Sequence, residues 1–292
     1  MKLIAIDLDG TLLNSKKEIK MENINSINKA IQNNIHVIIA TGRSYHDAKA
    51  IINSHGLNLP IISDNGSAIH DENSNLLNLI YIKKDSIAKI CESLEEDNYY
   101  YEISTNNKIY SYKKGKEILT KEHKEILAKN PDLKEELDHA YELQFSQNNI
   151  EYIDSYEDIV NKEDKCLGIL GVSFYKNRLE EAKNKYKKVD ESLSIFTSTT
   201  YNFEMTNKEA SKGNALKLYS KKYGYDLEDS MAIGDNGNDF SMIESVGFSF
   251  AMKNAIQELK EIARYSTLSN EENGVSKAIE FYLKENKIIT SA

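Results

Sequence analysis

The sequence predicts an α/β protein: a doubly wound, parallel-sheet core interrupted by an inserted α+β module. Three observations carry that expectation. Short, mostly apolar runs bounded by turn residues stand at 3–6, 35–40, 59–62 and 230–233, the pattern of strands buried on both faces. Segments with apolar residues at helical spacing separate them. The middle of the chain, residues 84–190, follows a different grammar.

Taken in order, Leu3-Ile4-Ala5-Ile6 opens the chain as a strand. Met21, Ile24, Ile27 and Ile31 recur at helical spacing, so this strand, the helix and the run at 35–40 form a right-handed βαβ unit. His36 lies inside that second run and is expected in the core. A helix is predicted over 47–53, with Gly56 near its end, before the run at 59–62. In the middle, Asp85 is placed to cap a helix that ends near Glu96. Tyr99-Tyr100-Tyr101-Glu102-Ile103 and Lys108-Ile109-Tyr110-Ser111-Tyr112 read as a hairpin around Asn106-Asn107. A charged helix over 113–130 precedes Pro131, 167–175 is strand-like, and 178–187 is helical. Strands and helices without regular alternation suggest an α+β module. The last third returns to the first grammar. Leu216, Tyr219 and Tyr223 share a face of a helix over 213–223, which Gly224 stops. Strands at 230–233 and 246–251 and an amphipathic helix over 274–284 follow. The expected domains are therefore a core of residues 1–83 and 191–292 and an inserted module of residues 84–190.

The 292 residues carry 46 acidic and 37 basic side chains, a net charge of −9. Such a balance lacks the electrostatic footprint for nucleic acid or an anionic membrane. Cys91 and Cys166 lie far apart, form no metal-ligand spacing and suit a reducing compartment. No run approaches the roughly 18 consecutive apolar residues of a membrane span. Asp7 and Asp9 break the N-terminal apolar run too early for a signal peptide. A cytoplasmic chain is expected.

Four groups carry chemistry. Asp7-Leu8-Asp9-Gly10-Thr11 directly follows the first strand, where open α/β sheets bind ligands. Two carboxylates this close repel unless a cation or a proton intervenes, and a hard ion such as Mg²⁺ suits them. Thr41-Gly42-Arg43 follows the second strand, where a hydroxyl and a flexible backbone can hold a phosphate oxygen; a plain Thr-Gly turn is the competing reading. Lys212 opens a helix, against its macrodipole, and calls for an anion nearby; a solvated lysine is the alternative. Gly234-Asp235-Asn236-Gly237-Asn238-Asp239 adds two carboxylates beyond another strand end, and an Asx-rich turn would look similar. Jointly these groups describe an acidic, Mg²⁺-ready cluster with one cation and phosphate-binding amides.

Together the four segments resemble the motifs of the haloacid dehalogenase superfamily of phosphohydrolases, in order and spacing. The match is nearest to its Cof-type subfamily (IIB). Asp64-Asn65-Gly66, Ala251-Met252-Lys253-Asn254-Ala255 and Asn273-Gly274-Val275 also resemble that subfamily. The resemblance implies a Rossmann-like core with a C2-type cap inserted over 84–190. It implies Asp7 as nucleophile, forming an aspartyl-phosphate, and Asp9 as general acid and then base, its protonation helped by the neighbouring Asp7 charge. It implies a Mg²⁺ site built on Asp7, Asp235 and the Asp9 backbone carbonyl, with Asp239 supporting it. Thr41, Gly42 and Lys212 would bind the phosphoryl group, and Asn238 would orient Lys212 or the phosphate.

The function expected is a Mg²⁺-dependent phosphatase of small phosphorylated metabolites, such as sugar phosphates, nucleotides, flavin mononucleotide or pyridoxal phosphate. A monomer or weak homodimer is expected. A sugar-phosphate phosphomutase shares the inventory and differs in sending the phosphoryl group to a second sugar hydroxyl. A non-catalytic ligand-binding regulator on the same fold is disfavoured by the complete set Asp7, Asp9, Lys212 and Asp235. Tyr99, Tyr100, Tyr101, Tyr110 and Tyr112 either pack a sheet face or stack on substrate, and packing is the commoner role. His46, just past the second motif, is not assigned.

Overall fold

The computed structural model describes residues 1–145, 150–197 and 199–286. The chain forms two compact units, Met1–Ile80 with Glu209–Ala292, and Tyr81–Lys208. The first stretch runs β1 (Leu3–Ile6), α1 (Met21–Gln32), β2 (His36–Ala40), α2 (Tyr45–Ser54), β3 (Ile61–Ser63), β4 (Ala68–His70) and β5 (Leu76–Leu79). The middle holds α3 (Lys84–Glu96), β6 (Tyr100–Thr105), β7 (Ile109–Tyr112), α4 (Gly115–Lys129), α5 (Lys134–Phe145), β8 (Ile150–Ile153), α6 (Glu157–Val160), β9 (Cys166–Val172), α7 (Lys176–Val189), β10 (Leu193–Phe196) and β11 (Asn202–Asn207). The last stretch holds α8 (Lys212–Tyr223), β12 (Met231–Gly234), α9 (Phe240–Ile243), β13 (Phe248–Ala251), α10 (Gln257–Ile262), β14 (Tyr265–Ser266) and α11 (Gly274–Glu285). No described helix is long and apolar enough to cross a membrane.

The first unit is a mixed sheet in the order β14-β13-β12-β1-β2-β3-β4-β5. It is parallel from β14 to β3, and β4 and β5 add an antiparallel edge. Ile4 of β1 stands opposite Met231 of β12 and Val37 of β2. Every residue of β1 and β12 is buried, which is why these strands read as unbroken apolar runs. Because β1, β2 and β12 are parallel, the loops that follow them emerge at one edge of the sheet. The edge hairpin β4–β5 was not legible, since β5 is exposed to half-buried and Asn78 interrupts its apolar residues.

The second unit is a sheet in the order β10-β11-β9-β6-β7-β8, antiparallel except for the β7–β8 pair. The hairpin expected around Asn106-Asn107 forms, with Glu102 opposite Ser111. Tyr99, Tyr100, Tyr101, Tyr110 and Tyr112 are all buried, none more than 5% exposed. Tyr101 stacks on Tyr112 at 5.1 Å between ring centroids. These tyrosines build the unit's interior and are not available to stack on a ligand.

Three expectations change. Residues 191–208 belong to the second unit, where β10 and β11 complete its sheet, so the boundaries fall at 80/81 and 208/209. Phe203 and Met205 alternate with polar neighbours and are fully buried, a half-buried strand that offers no continuous apolar signal. Asp85 sits inside the first turn of α3, whose N-cap is Lys83. His36, at the start of β2, is exposed, with its ring 5.0 Å from that of Tyr225.

Glu122 of α4 is 4% exposed. It accepts from Ser173 Oγ at 2.9 Å and from the Phe174 amide at 2.8 Å, and it pairs with Arg178 of α7. Removing the Glu122 carboxylate leaves the buried Ser173 hydroxyl and the Phe174 amide without their acceptor and Arg178 without its carboxylate. Glu122→Ala should destabilise the protein by about 3 kcal/mol. Thermal and urea unfolding measure it; a loss below about 0.5 kcal/mol, the usual limit for an inert surface change, contradicts this role.

Candidate active site

The site starts at the end of β1. The Asp7 amide extends the ladder to β12, donating to the Ile233 carbonyl at 3.1 Å. That bond fixes Asp7 at the sheet edge, where it is 4% exposed. Helix α8 brings Lys212 to the same place. Ser211 caps this helix by accepting from the Asn214 amide at 3.1 Å, so Lys212 is its first residue. The lysine is fully buried, which excludes a solvated role. Its Nζ donates to Asp7 Oδ1 at 2.7 Å and to Asp239 Oδ1 at 2.6 Å. These carboxylates are the anions that a cation at a helix N-terminus requires.

The loop after β12 supplies the rest. Asp239 is fully buried. Its Oδ2 accepts from the Asp235 and Asn236 amides at 2.9 and 3.0 Å, so this side chain folds its own loop back and presents Lys212 with the other oxygen. Asp235 Oδ1 accepts from Thr11 Oγ1 at 3.2 Å. A Cβ on Gly10 would collide with the Asp235 carboxylate. Gly10 also holds φ at +80°, so glycine is required twice over. Oxygens of Asp7, Asp235 and Asp239 lie within 4.8 Å of one another.

Three carboxylates face one ammonium. Burial works against the Lys212 charge, but Asp239 and Asp7 outweigh it and hold the lysine above its ordinary range. Burial raises the Asp7 carboxyl well above the usual carboxylate range; Lys212 opposes this, and the Asp239 and Asp235 charges add to it. Asp235 is pushed up to about 6 by burial and then by Asp239. A divalent cation would relieve this crowding: Asp7, Asp235 and Asp239 could hold one between them, and all-oxygen donors are the chemistry a hard cation prefers.

Asp9 departs from expectation. Burial alone would raise its carboxyl, yet the hydrogen bonds from Arg43 and then Lys17 hold it below the usual range. Arg43 donates through Nε to Oδ2 at 2.6 Å and through Nη2 to Oδ1 at 2.8 Å, and Lys17 Nζ reaches Oδ1 at 3.0 Å. The sequence reading had the Asp7 charge favouring a protonated Asp9; the two cations reverse that. Arg43 also pairs with Asp47.

Thr41 is buried after β2, and its Oγ1 accepts from the Arg43 amide at 3.1 Å. Gly42 next to it is exposed. Asn238 is exposed and donates through Nδ2 to Asn65 Oδ1 at 3.0 Å. It does not orient Lys212, which Asp7 and Asp239 already hold. His46 is exposed and makes a ring contact with Tyr45. Sequence reasoning missed the Asp9 partners. Arg43 was in view beside Thr41-Gly42, but nothing in the spacing showed its direction, and Lys17 carried no signal. Asn254 was in view within a segment that resembles the subfamily, but not its contact: its side chain donates to the Gly10 carbonyl at 2.8 Å.

A parallel-sheet edge that gathers a strand-end aspartate, a buried lysine and an acidic loop defines a phosphoryl-transfer hydrolase of the haloacid dehalogenase type. The family model of haloacid dehalogenase-like hydrolases matches residues 4–279, and the chain belongs to that family, in its Cof-type branch. Phosphatase YwpJ of Bacillus subtilis is 40% identical over 279 residues, covering 94% of this chain and 98% of that protein. The 5-amino-6-(5-phospho-D-ribitylamino)uracil phosphatase YwtE of the same organism is 36% identical, covering 94% and 96%. The solved structure of a haloacid dehalogenase-like hydrolase from B. subtilis superposes with a TM-score of 0.79 at 39% identity, covering 96% of this chain and 99% of that one. The chain is accordingly a phosphatase of this superfamily.

The charge imbalance has a measurable consequence. In the metal-free fold Asp235 keeps its proton up to about pH 6, whereas its ordinary value is 3.8. Its contribution to stability is therefore complete below the lower value and lost as pH rises through the higher one. Asp235→Asn removes the charge and keeps the shape. In excess chelator at pH 8 its melting temperature should exceed that of the wild type by about 3 °C, with the gap narrowing towards pH 5. An equal or lower melting temperature at pH 8 contradicts the crowding.

Proposed function

We propose that this phosphatase is a Mg²⁺-dependent phosphomonoesterase of small phosphorylated metabolites, working through an aspartyl-phosphate on Asp7. The observation that carries the reading is Asp7 at the end of β1, bonded to the buried Lys212, with Asp235 and Asp239 beside it. Asp7 and Asp235, with the Asp9 backbone carbonyl, would hold the Mg²⁺. Bound there, the ion offsets carboxylate repulsion and the charge of the transferring phosphoryl group. Asp239 has both oxygens engaged by Lys212 and backbone amides, and so acts from behind.

In the first step an oxygen of Asp7 attacks phosphorus. The ester P–O bond breaks, and the leaving oxygen takes a proton from Asp9. In the second, Asp9 takes a proton from water as that water attacks phosphorus, and the bond to Asp7 breaks. Arg43 and Lys17 hold Asp9 ionised at rest, the form that serves as base. For the acid step their fork loosens as the leaving group arrives, and Asp9 first takes up a proton from solvent, which it passes to the leaving oxygen; the proton it gains from the attacking water in the second step returns to solvent. Thr41, Gly42, Lys212 and Asn238 bind phosphoryl oxygens, so most of the catalysis is positioning and charge stabilisation. Substrate choice is assigned to residues 81–208, none of which belongs to this site. The phosphatase names of the relatives support water, not a second sugar hydroxyl, as acceptor. The YwtE name adds a ring-bearing ribityl phosphate to the sugar phosphates, nucleotides, flavin mononucleotide and pyridoxal phosphate worth screening.

Two substitutions test the assignment. Asp7→Asn should abolish turnover and form no phosphoenzyme. Asp9→Asn should still react with an activated aryl phosphate, whose leaving group needs little protonation, and should accumulate phosphate on Asp7. Mass spectrometry after a short incubation distinguishes them. Wild-type turnover in Asp7→Asn, after deamidation is excluded, removes this mechanism.

Mg²⁺ dependence is tested separately by titrating the metal into chelator-treated protein. Activity should fall by more than about 100-fold in excess chelator and return with Mg²⁺. Ca²⁺, which accepts more oxygens, should inhibit by engaging both oxygens of Asp7. Full activity in chelator rejects the metal assignment.

A further inference from the structure

We propose that Asn65 is a positioning residue of the phosphoryl-binding loops. It would tie the segment after β2 to the segment after β12 and set both against the start of α8. The inference rests on the reading that Thr41, Gly42, Lys212 and Asn238 bind the phosphoryl group.

The turn at 64–66 is unusual in its backbone. Asp64, Asn65 and Gly66 hold φ at +50°, +53° and +100°. Two consecutive non-glycine residues in the left-handed region are costly and persist only where their surroundings enforce them. The enforcing contacts all lead to the site. The Asp64 amide donates to the Arg43 carbonyl at 2.9 Å, and the Asn65 amide donates to the Thr41 carbonyl at 3.1 Å. The turn thus braces Thr41-Gly42-Arg43 from below. A Cβ on Gly42 would lie 3.0 Å from Asn65 Oδ1, so the Asn65 amide group packs directly against that loop. The same Oδ1 accepts from Asn238 Nδ2 at 3.0 Å. A Cβ on Gly66 would collide with the Ser211 carbonyl, so the turn also abuts the residue that precedes Lys212.

The turn therefore meets three segments that carry every proposed phosphate ligand, two of them through Asn65 itself and the third through Gly66. Asparagine suits the position because it tolerates φ near +53° and still offers a side-chain carbonyl to Asn238. Asn65 has no assigned contact with substrate; it acts through Thr41, Gly42 and Asn238.

Asn65→Gly keeps the backbone conformation and removes the side chain. Asn238→Ala removes the donor from an exposed position. With p-nitrophenyl phosphate as substrate and inorganic phosphate as competitor, each should raise KM and the phosphate inhibition constant about tenfold. The double variant should be little worse than Asn238→Ala alone, because Asn65 acts through Asn238. A merely structural role would lower the melting temperature and the amount of active protein, leaving the phosphate constant unchanged. Wild-type phosphate affinity in folded Asn65→Gly, or fully multiplicative losses in the double variant, overturns the proposal. If Asn65→Gly does not fold, Asn65→Ser, whose shorter side chain does not reach Asn238, takes its place, and unaltered phosphate affinity in it overturns the proposal. An inactive Asp7→Asn alongside a wild-type Asn65→Gly rejects this inference alone. An active Asp7→Asn rejects the underlying reading.

Discussion

The buried ammonium of Lys212 is the constraint on which the catalytic unit depends. A charge with no exposure to water is tolerated only when opposite charges meet it at hydrogen-bond distance. Asp7 and Asp239 do so at 2.7 and 2.6 Å. The requirement couples three distant segments: the end of β1, the first residue of α8 and the loop after β12. None can shift alone without stranding a charge. The interaction also explains why α8 begins with a cation, which its own dipole opposes, and why the Ser211 cap is needed to hold the helix start in place.

One ammonium does not neutralise three carboxylates. Burial first, and then the remaining negative charge, raises the Asp7 and Asp235 carboxyls above their usual range, a setting that suits a hard cation. Asp9, two residues from Asp7, lives in the opposite field. It is partly exposed and forked by Arg43, with Lys17 beside it. Adjacent aspartates thus have separate surroundings, one in a crowded anionic cluster and one in a cationic clasp. In the proposed mechanism that separation would let one act as nucleophile and the other exchange protons.

Much of this was legible because it rests on local pattern. Strands β1, β2 and β12 are buried on both faces and therefore appear as apolar runs. The acidic groups fall directly after them because parallel topology puts ligand sites at that edge. The tyrosines of β6 and β7 could be read as packing, and they do pack. Strands β10 and β11 escaped because only one of their faces contributes core, through residues such as Phe203 and Met205. His36 was misplaced because an apolar run does not reveal which of its residues sits at the strand's open end.

The sequence by itself determined the α/β class, the family and the placement of Asp7, Asp9, Lys212 and Asp235 beside strand and helix ends, since each is a residue type at a position relative to such an end. The tertiary structure alone decided the partners. It turned Arg43 and Lys17 onto Asp9, gave both oxygens of Asp239 to Lys212 and its own loop, and linked Asn65 to Asn238 across 173 positions of chain. The physical reason is that a hydrogen bond or ion pair depends on direction and distance in space, and no spacing along the chain encodes these between segments that meet only when the sheet has formed.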